Sequence, residues 1–157
     1  MSPEPIQNEI SFYDSVGGRR VIERVHRIFY NRVYADPWLK QFFGHIGQEI
    51  IESQQNAFMT QAFGGPQLYC GAFPIPAHKH MYITEELFLH RHALLKKALE
   101  EAGVPKAYID KWLMIDGSFR KGIVKLAKEN CQKRHLADEI LDFRNPTGVT
   151  ERAESRK

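Results

Sequence analysis

Hydrophobic residues recur at helical spacing along most of the chain, beginning just after the double glycine at residues 17–18. Between residues 19 and 36 they follow the i, i+4, i+7, i+8 pattern of one helix face: Val21, Val25, Ile28, Phe29 and Val33. The preceding SFYDSV predicts a short turn or helix that the two glycines end. An Asp-Pro pair ends the long segment, because a residue before proline is pushed out of the helical region.

Two further helices are predicted before residue 64. PWLKQFF predicts a short helix, and GQEIIESQQNAFMTQAF predicts a long one with hydrophobic positions at Ile51, Phe58, Met59, Ala62 and Phe63. The GGP sequence at residues 64–66 stops this helix. The stretch from there to residue 76 is rich in glycine and proline, so we expect an irregular loop held against the core by Leu68, Tyr69 and Phe73.

The second half of the chain continues in the same way. Thr84 is a predicted N-cap, and the helix EELFLHRHALLKKALEEA then runs to Gly103, a typical C-terminal signal. YIDKWLMIDGSFRKGIVKLAKEN predicts a last long helix, and LADEILDF predicts one further turn or two. Strand-type alternation is almost absent and 157 residues suffice for one core. The expected fold class is therefore all-α, in a single domain.

Charge and cysteine content exclude several classes of protein. The net charge of +3 is small, and its basic excess lies largely in KLAKENCQKRH and TERAESRK rather than along a stripe, so no nucleic-acid partner is expected. No run of about 20 apolar residues predicts a membrane span. MSPEPIQNEISF lacks the features of a signal peptide. Cys70 and Cys131 are far apart in the sequence, which favours reduced thiols and a cytoplasmic location.

The strongest chemical signal is PIPAHKHMYITEELFLHRHALL, which holds four of the seven histidines. His90 and His92 lie in a predicted helix, where positions two apart point about 200° from each other, so they cannot chelate one ion together. A site built from all four histidines is therefore not expected. His78 and His80 lie between a proline-rich loop and a helix start, where a lone histidine is usually a surface residue. Arg91 falls on the apolar side of its helix, from which it either extends to solvent or reaches a ligand's carboxylate.

From residue 12 onward the ordered segments resemble the truncated haemoglobins, most closely their group I branch. YDSVGG resembles the family's first helix and double glycine, and IFYNRVYADPWLKQFF resembles its next helix and phenylalanine-bearing corner. QQNAFMTQAFGGPQLYCGAFPIPAH resembles the distal helix and the run to the proximal histidine. The resemblance covers about residues 11–124. It implies a two-over-two helical sandwich around one b-type haem.

The resemblance assigns roles residue by residue. His78 matches the proximal ligand of the haem iron, and Phe43 matches the aromatic residue that wedges the porphyrin. Tyr30 matches the distal tyrosine that donates to bound oxygen. Gln55 matches the glutamine that joins this network, with Gln54 as the alternative if the register differs by one. Judged without the resemblance, Tyr30 is a core tyrosine and Gln55 a solvated glutamine.

Other positions complete the implied haem site. The remaining contacts implied by the resemblance are Ile51, Phe58, Met59, Tyr69, Tyr82 and Phe88. His80 is either a competing ligand or a contact to a propionate. Arg91 departs from the family, which usually has a small or aromatic apolar residue there near the distal pocket. The implied domain spans residues 11–130, with a polar extension at 1–10 and a partly helical, then disordered, extension at 131–157.

Three functions remain open at this point. The first is reversible binding of oxygen, or of another diatomic gas such as NO or CO, at ferrous haem. The second is enzymatic: conversion of nitric oxide to nitrate, or a peroxide-driven reaction. The sequence has no reductase domain or flavin motif, so such turnover needs an external electron donor. The third is a haem-free helical interaction module.

Overall fold

A computed structural model describes residues 10–146, and these residues are almost entirely helical or irregular. The only strand-type pairing in this range is an isolated bridge between Met81 and Leu141. The all-α prediction is therefore confirmed. The elements in order are α1 (Phe12–Val16), α2 (Gly18–Ala35), a 3-10 helix (Leu39–Phe43), α3 (Gln48–Ala62), α4 (Pro74–His78), α5 (Glu85–Glu101), α6 (Lys106–Gly117), α7 (Arg120–Ile123) and a second 3-10 helix (Lys128–Asn130).

The long helix α2 is the centre of the fold, because it packs against both α3 and α5, and α5 in turn packs against α6. With neighbours on two sides, its buried face is wider than the predicted stripe. Ile22, His26 and Tyr30 are buried in addition to the predicted positions. Val21 and Ile28 were expected in the core but are only half-buried. The sequence pattern thus found the helix but not the full width of its buried face.

Local signals at the helix ends agree with the predictions. Gly17 joins α1 to α2 with a φ of 115°, and a Cβ atom there would lie 2.4 Å from Val21 Cγ2, so this turn requires glycine. Asp36 ends α2 in an extended conformation before proline. The Thr84 side chain accepts a hydrogen bond from the backbone N–H of Leu87 at 3.1 Å and caps α5.

The loop between α3 and α4 is less tightly held than expected. Leu68 and Phe73 are 66% and 61% exposed, so the prediction that they anchor it was wrong. Tyr69 does hold it, since its ring contacts Phe58 at 5.2 Å and its hydroxyl donates to the Ala72 carbonyl at 2.5 Å. The loop then gives way to α4, which begins at a proline, the residue best suited to the first position of a helix.

The prediction of one long helix from Tyr108 to Asn130 was wrong. The helix ends at Gly117, where the Ser118 hydroxyl donates to the Ile115 carbonyl at 2.5 Å, and only the single turn α7 and the second 3-10 helix follow within the predicted range. Beyond α7 the backbone bonds elsewhere: the N–H of Lys125 donates to the carbonyl of Ile83 at 2.9 Å. Ala62, expected in the core of α3, is exposed.

Residues 124–143, here called the C-terminal strap, cross the segment that connects α4 to α5. The strap makes backbone hydrogen bonds to residues 79–83, including Tyr82 N–H to Leu141 O at 2.8 Å and Leu141 N–H to His80 O at 2.9 Å. The Trp38 indole N–H donates to the Phe143 carbonyl at 2.7 Å. Of the one or two turns expected over residues 136–143, a single turn forms at residues 136–137, where the Asp138 N–H donates to the His135 carbonyl at 3.1 Å. The residues after it pair with the segment at 79–83 instead of continuing as a helix. Most of the predicted N-terminal extension and the predicted disordered tail lie outside the described residues.

Candidate functional site

His78 is the last residue of α4 and is held by its own helix. Its Nδ1 lies 2.6 Å from the Pro74 carbonyl oxygen. A carbonyl only accepts hydrogen bonds, so Nδ1 carries the proton and donates, and the lone pair is on Nε2. Burial lowers the pKa of His78 to about 4, reinforced by the charges of Arg91 and Lys125 and opposed by the bond to Pro74. His78 is therefore a neutral imidazole with Nε2 available as a ligand.

The backbone of His78 is fixed from the C-terminal strap. The ammonium group of Lys125 donates to the His78 carbonyl at 2.9 Å and to the Ile123 carbonyl at 3.0 Å. No sequence pattern indicated this contact, because 46 residues separate the two positions and a lysine in a basic segment is normally solvated. Through Lys125, the strap helps to set the position of His78.

Tyr30 is buried in α2, with 5% of its surface exposed. Its ring lies edge-on to Phe29 at 4.8 Å and to Phe43 at 6.3 Å. Burial raises the pKa of Tyr30 well above its usual value, although the nearby charge of Arg91 opposes the shift. The hydroxyl thus remains protonated, and can donate a hydrogen bond, at any physiological pH.

The structure distinguishes the two candidate glutamines of α3. Gln54 is exposed, whereas Gln55 is half-buried. The Gln55 amide makes no hydrogen bond to any residue in the range 10–146. Because α3 packs against α2, the helix that holds Tyr30, Gln55 is the better candidate for a second donor.

Two groups of aromatic rings accompany these polar residues. Phe43, at the end of the first 3-10 helix, is half-buried and contacts Tyr34 at 5.4 Å as well as Tyr30. Phe58 is half-buried in α3 and lies between Tyr69 and Phe119, at 5.2 and 5.4 Å. Phe119 was not predicted as a site residue, because the sequence placed it within one continuous helix, whereas in the structure it lies in the break between α6 and α7.

The other predicted contacts divide between core and strap. Ile51 and Met59 are buried at 9% and 4% exposure and belong to the hydrophobic core. Phe88 is buried in α5 and stacks on His92 with 6.0 Å between ring centroids. Tyr82 is half-buried and is paired with the strap through its backbone. His80 is only 2% exposed, lies where the strap crosses, and its Nδ1 has no hydrogen-bond partner.

The second histidine pair binds two different carboxylates. His90 Nε2 lies 2.7 Å from Asp36 Oδ2, and His92 Nδ1 lies 3.1 Å from Asp116 Oδ2. This agrees with the expectation that residues two apart on a helix cannot share an ion. Within residues 10–146, no group of three or more histidine, cysteine or acidic side chains could hold a metal ion.

Arg91 is half-buried and forms an ion pair with a residue of another helix. Its Nη1 lies 3.1 and 2.9 Å from the two carboxylate oxygens of Asp116, a residue of α6 that the sequence analysis missed. Its Cζ lies 5.2 Å from the ring centre of Phe29, next to Tyr30 in α2. Burial opposes ionisation of Asp116, but Arg91 and His92 lower its pKa to about 2. The pair is charged, and it brings a cation to the side of α2 on which Tyr30 lies.

This donor set fits haem. A neutral imidazole with a free Nε2 is the form in which histidine binds iron, and a carbonyl on its other nitrogen is the usual partner that orients it. The half-buried rings of Phe43 and Phe58 offer flat apolar surfaces of the kind that pack against a porphyrin. The hydroxyl of Tyr30 and the amide of Gln55 supply hydrogen-bond donors on two adjacent helices.

Comparison with known proteins also indicates a haem-binding protein. The family model described as bacterial-like globin matches residues 11–121. The chain belongs to this globin family. It is 30% identical over 117 residues to the group 1 truncated hemoglobin of Tetrahymena pyriformis, covering 73% of this globin and 94% of that protein. It is 30% identical over 112 residues to one from Synechocystis, covering 69% and 90%.

Solved structures agree with the helical arrangement. The Fe(III) form of the Tetrahymena pyriformis protein superposes with a TM-score of 0.68 at 30% identity, covering 73% of this globin and 98% of that chain. The two-over-two globin fold predicted from the resemblance is therefore confirmed. Three further structures of that relative each carry one substitution. In one of them a tyrosine is replaced by phenylalanine. In the other two a glutamine is replaced by glutamate, 21 and 25 residues after that tyrosine.

Membership of the globin family establishes the general function of the protein. This globin binds haem, and its ligands are small diatomic molecules. None of the helices in residues 10–146 is both long and apolar enough to cross a membrane. Cys70 and Cys131 both lie in this range and are free thiols, as the sequence analysis expected.

Proposed function

We propose that this globin binds molecular oxygen reversibly at ferrous haem b, with His78 as the iron ligand and Tyr30 and Gln55 as the distal donors. Ferrous haem supplies the iron at which oxygen, NO and CO bind. The observation that carries the proposal is the hydrogen bond from His78 Nδ1 to the Pro74 carbonyl, which leaves Nε2 free on a neutral ring. His80 is the weaker candidate, since it is enclosed where the strap crosses.

The roles of the distal residues follow from their protonation and partners. Tyr30 keeps its proton, because burial raises the pKa of its hydroxyl. The Gln55 amide has no hydrogen-bond partner among residues 10–146. A ligand that gains negative charge on binding is stabilised by such donors more than a neutral one, because hydrogen bonds to charged acceptors are about twice as strong.

The spacing of these residues supports the assignment. In the Tetrahymena pyriformis relative, the substituted tyrosine and the second substituted glutamine lie 25 residues apart. Tyr30 and Gln55 have the same separation in this globin. At the 21-residue separation of the first substituted glutamine, this globin has Ile51, which has no donor. This globin therefore has a glutamine at only one of the two separations at which that relative has a substituted glutamine.

The test is the absorption spectrum of purified protein in its ferric, ferrous and oxygenated forms. The His78→Gly variant should lose haem or its normal spectrum, and added imidazole should restore the spectrum by filling the space left by the ring. The His80→Gln variant should keep the wild-type spectrum. If His78→Gly binds haem with an unchanged spectrum while His80→Gln does not, the assignment of the iron ligand is wrong.

A second function, conversion of nitric oxide to nitrate, is favoured by the same two donors, because they retain oxygen long enough for a second molecule to react. One oxygen and one nitric oxide molecule give one nitrate, and the ferrous protein is oxidised to ferric, so an external one-electron donor must restore it. Stopped-flow mixing of the oxygenated protein with nitric oxide tests this function. Rapid, stoichiometric formation of nitrate would support it, and slow loss of oxygen alone would leave reversible binding. Oxygen transport and a cytoplasmic location stay predictions.

A further inference from the structure

Arg91 is a charged residue on the apolar side of α5, beside a hydroxyl that the proposed function assigns to ligand binding. About a third of its side chain, 31%, is exposed, so it is neither on the open surface nor fully enclosed. Both hydrogen bonds to Asp116 come from Nη1. The carboxylate therefore does not bind Nε or Nη2 of the guanidinium, which also interacts with the hydroxyl of Tyr30.

The position of this guanidinium is fixed from two sides. Asp116 holds it from α6, with 7% of the carboxylate side chain exposed and His92 as a second donor to the same oxygen. The Phe29 ring holds it from α2 at 5.2 Å, a distance at which a cation is attracted to an aromatic face. Burial alone would lower the pKa of Arg91, but Asp116 and Tyr30 together raise it. Arg91 is thus a permanent cation beside Tyr30.

We propose that Arg91 makes this globin selective for anionic ligands of the ferric form, of the chemical class of nitrite and azide. The inference rests on the proposed function, because it places these ligands on the side of the haem that Tyr30 faces. A fixed positive charge a few ångströms from a bound monovalent anion lowers the energy of the complex, whereas a neutral ligand gains almost nothing from it. The side chain of Ile51 on α3 cannot donate a hydrogen bond to the ligand. Arg91 on α5 instead supplies a charge interaction from a different helix.

Substitution of Arg91 tests the proposal by equilibrium titration of the ferric protein. Affinities for azide, nitrite and neutral imidazole are measured in wild type, Arg91→Gln and Arg91→Lys. Arg91→Gln removes one charge interaction, at an effective dielectric constant between those of water and dry protein. It should therefore weaken the binding of azide and nitrite by about tenfold or more, and change the affinity for imidazole by less than about threefold. Arg91→Lys should recover most of the anion affinity, since it keeps the charge.

Asp116→Asn separates a charge effect from a structural one. Removing the carboxylate leaves the guanidinium without its neutralising partner, so affinity for azide and nitrite should rise while Arg91→Gln lowers it. A residue that only braced α5 against α6 would give the same direction for both variants, and for imidazole as well. Melting temperatures of the haem-bound variants measure that bracing directly.

The control is Arg32→Gln. Arg32 Nη2 also forms an ion pair between helices, 2.8 Å from Glu101 Oε2, but this pair is more exposed, at 38% and 55%. Its loss should leave all three affinities unchanged. Equal weakening of azide and imidazole in Arg91→Gln, or no weakening of either, overturns the proposal. That outcome does not touch the assignment of His78, which the spectra of its own variants decide.

Discussion

The Tyr30→Phe variant removes one hydroxyl and little else. The ring keeps its edge contacts with Phe29 at 4.8 Å and Phe43 at 6.3 Å, so the packing of α2 should survive. Because Tyr30 is only 5% exposed, water does not readily replace the lost donor. The change in ligand binding should therefore report the hydrogen bond rather than a rearranged cavity.

The size of the effect follows from the charge on the ligand. A hydrogen bond to a charged acceptor contributes about 1.5–3 kcal/mol. Loss of about 2 kcal/mol corresponds to roughly a thirtyfold change in an equilibrium constant, which should appear mainly as faster dissociation of oxygen. Carbon monoxide, which is much less polar when bound, should dissociate at nearly the wild-type rate. Stopped-flow displacement of each gas measures both rates.

A neighbouring tyrosine provides the matched control. Tyr34 lies one helical turn further along α2, and its hydroxyl donates to the Ile46 carbonyl at 2.8 Å. Tyr34→Phe removes the same group from the same helix and should leave oxygen dissociation unchanged. If Tyr30→Phe accelerates both gases equally, or accelerates neither, Tyr30 is only a core residue, and the distal donor must be sought at Gln55 or Arg91.

Three further predictions concern His26 in the core, Lys125 in the C-terminal strap, and Ile51, whose side chain cannot donate a hydrogen bond. Burial lowers the pKa of His26 from 6.5 to about 4, although its bond to Asn56 at 2.7 Å opposes this. As the pH falls, His26 therefore takes up a proton in the unfolded chain before it does so in the folded protein. About 3 kcal/mol of the free energy of unfolding is present above pH 6.5 and is lost between pH 6.5 and 4. His26→Gln should flatten this dependence in urea unfolding of the haem-free protein, and an unaltered slope would contradict the assignment. Lys125→Met removes the donor to the His78 carbonyl and should speed haem transfer to an acceptor apoglobin by about fivefold, a change that a purely solvated lysine would not cause. Ile51→Gln should slow oxygen dissociation by adding an amide donor, and an unchanged rate would mean that this position does not face the ligand.

Local sequence signals predicted most of the helices and their ends. The Thr84 cap, the turn at Gly17 and the end of α2 at Asp36 all depend on one to four neighbouring residues, so short-range pattern is sufficient for them. The helix predicted from Tyr108 to Asn130 failed for the opposite reason. Its second half is a strong helical pattern, but the backbone of the strap bonds to residues 79–83 instead, and those partners are distant in sequence.

The candidate site shows the same division. The sequence by itself determined the all-α class, the order of the segments and a histidine after a proline-rich run, since each is written in local composition and spacing. Only the tertiary structure decided that His78 donates to Pro74, that Gln55 rather than Gln54 is half-buried, and that Arg91 forms an ion pair with Asp116. A buried charge is stable only beside a partner, and a partner on another helix is chosen by how the helices pack. That packing joins residues far apart in the chain, which is why no pattern along the sequence could reveal it.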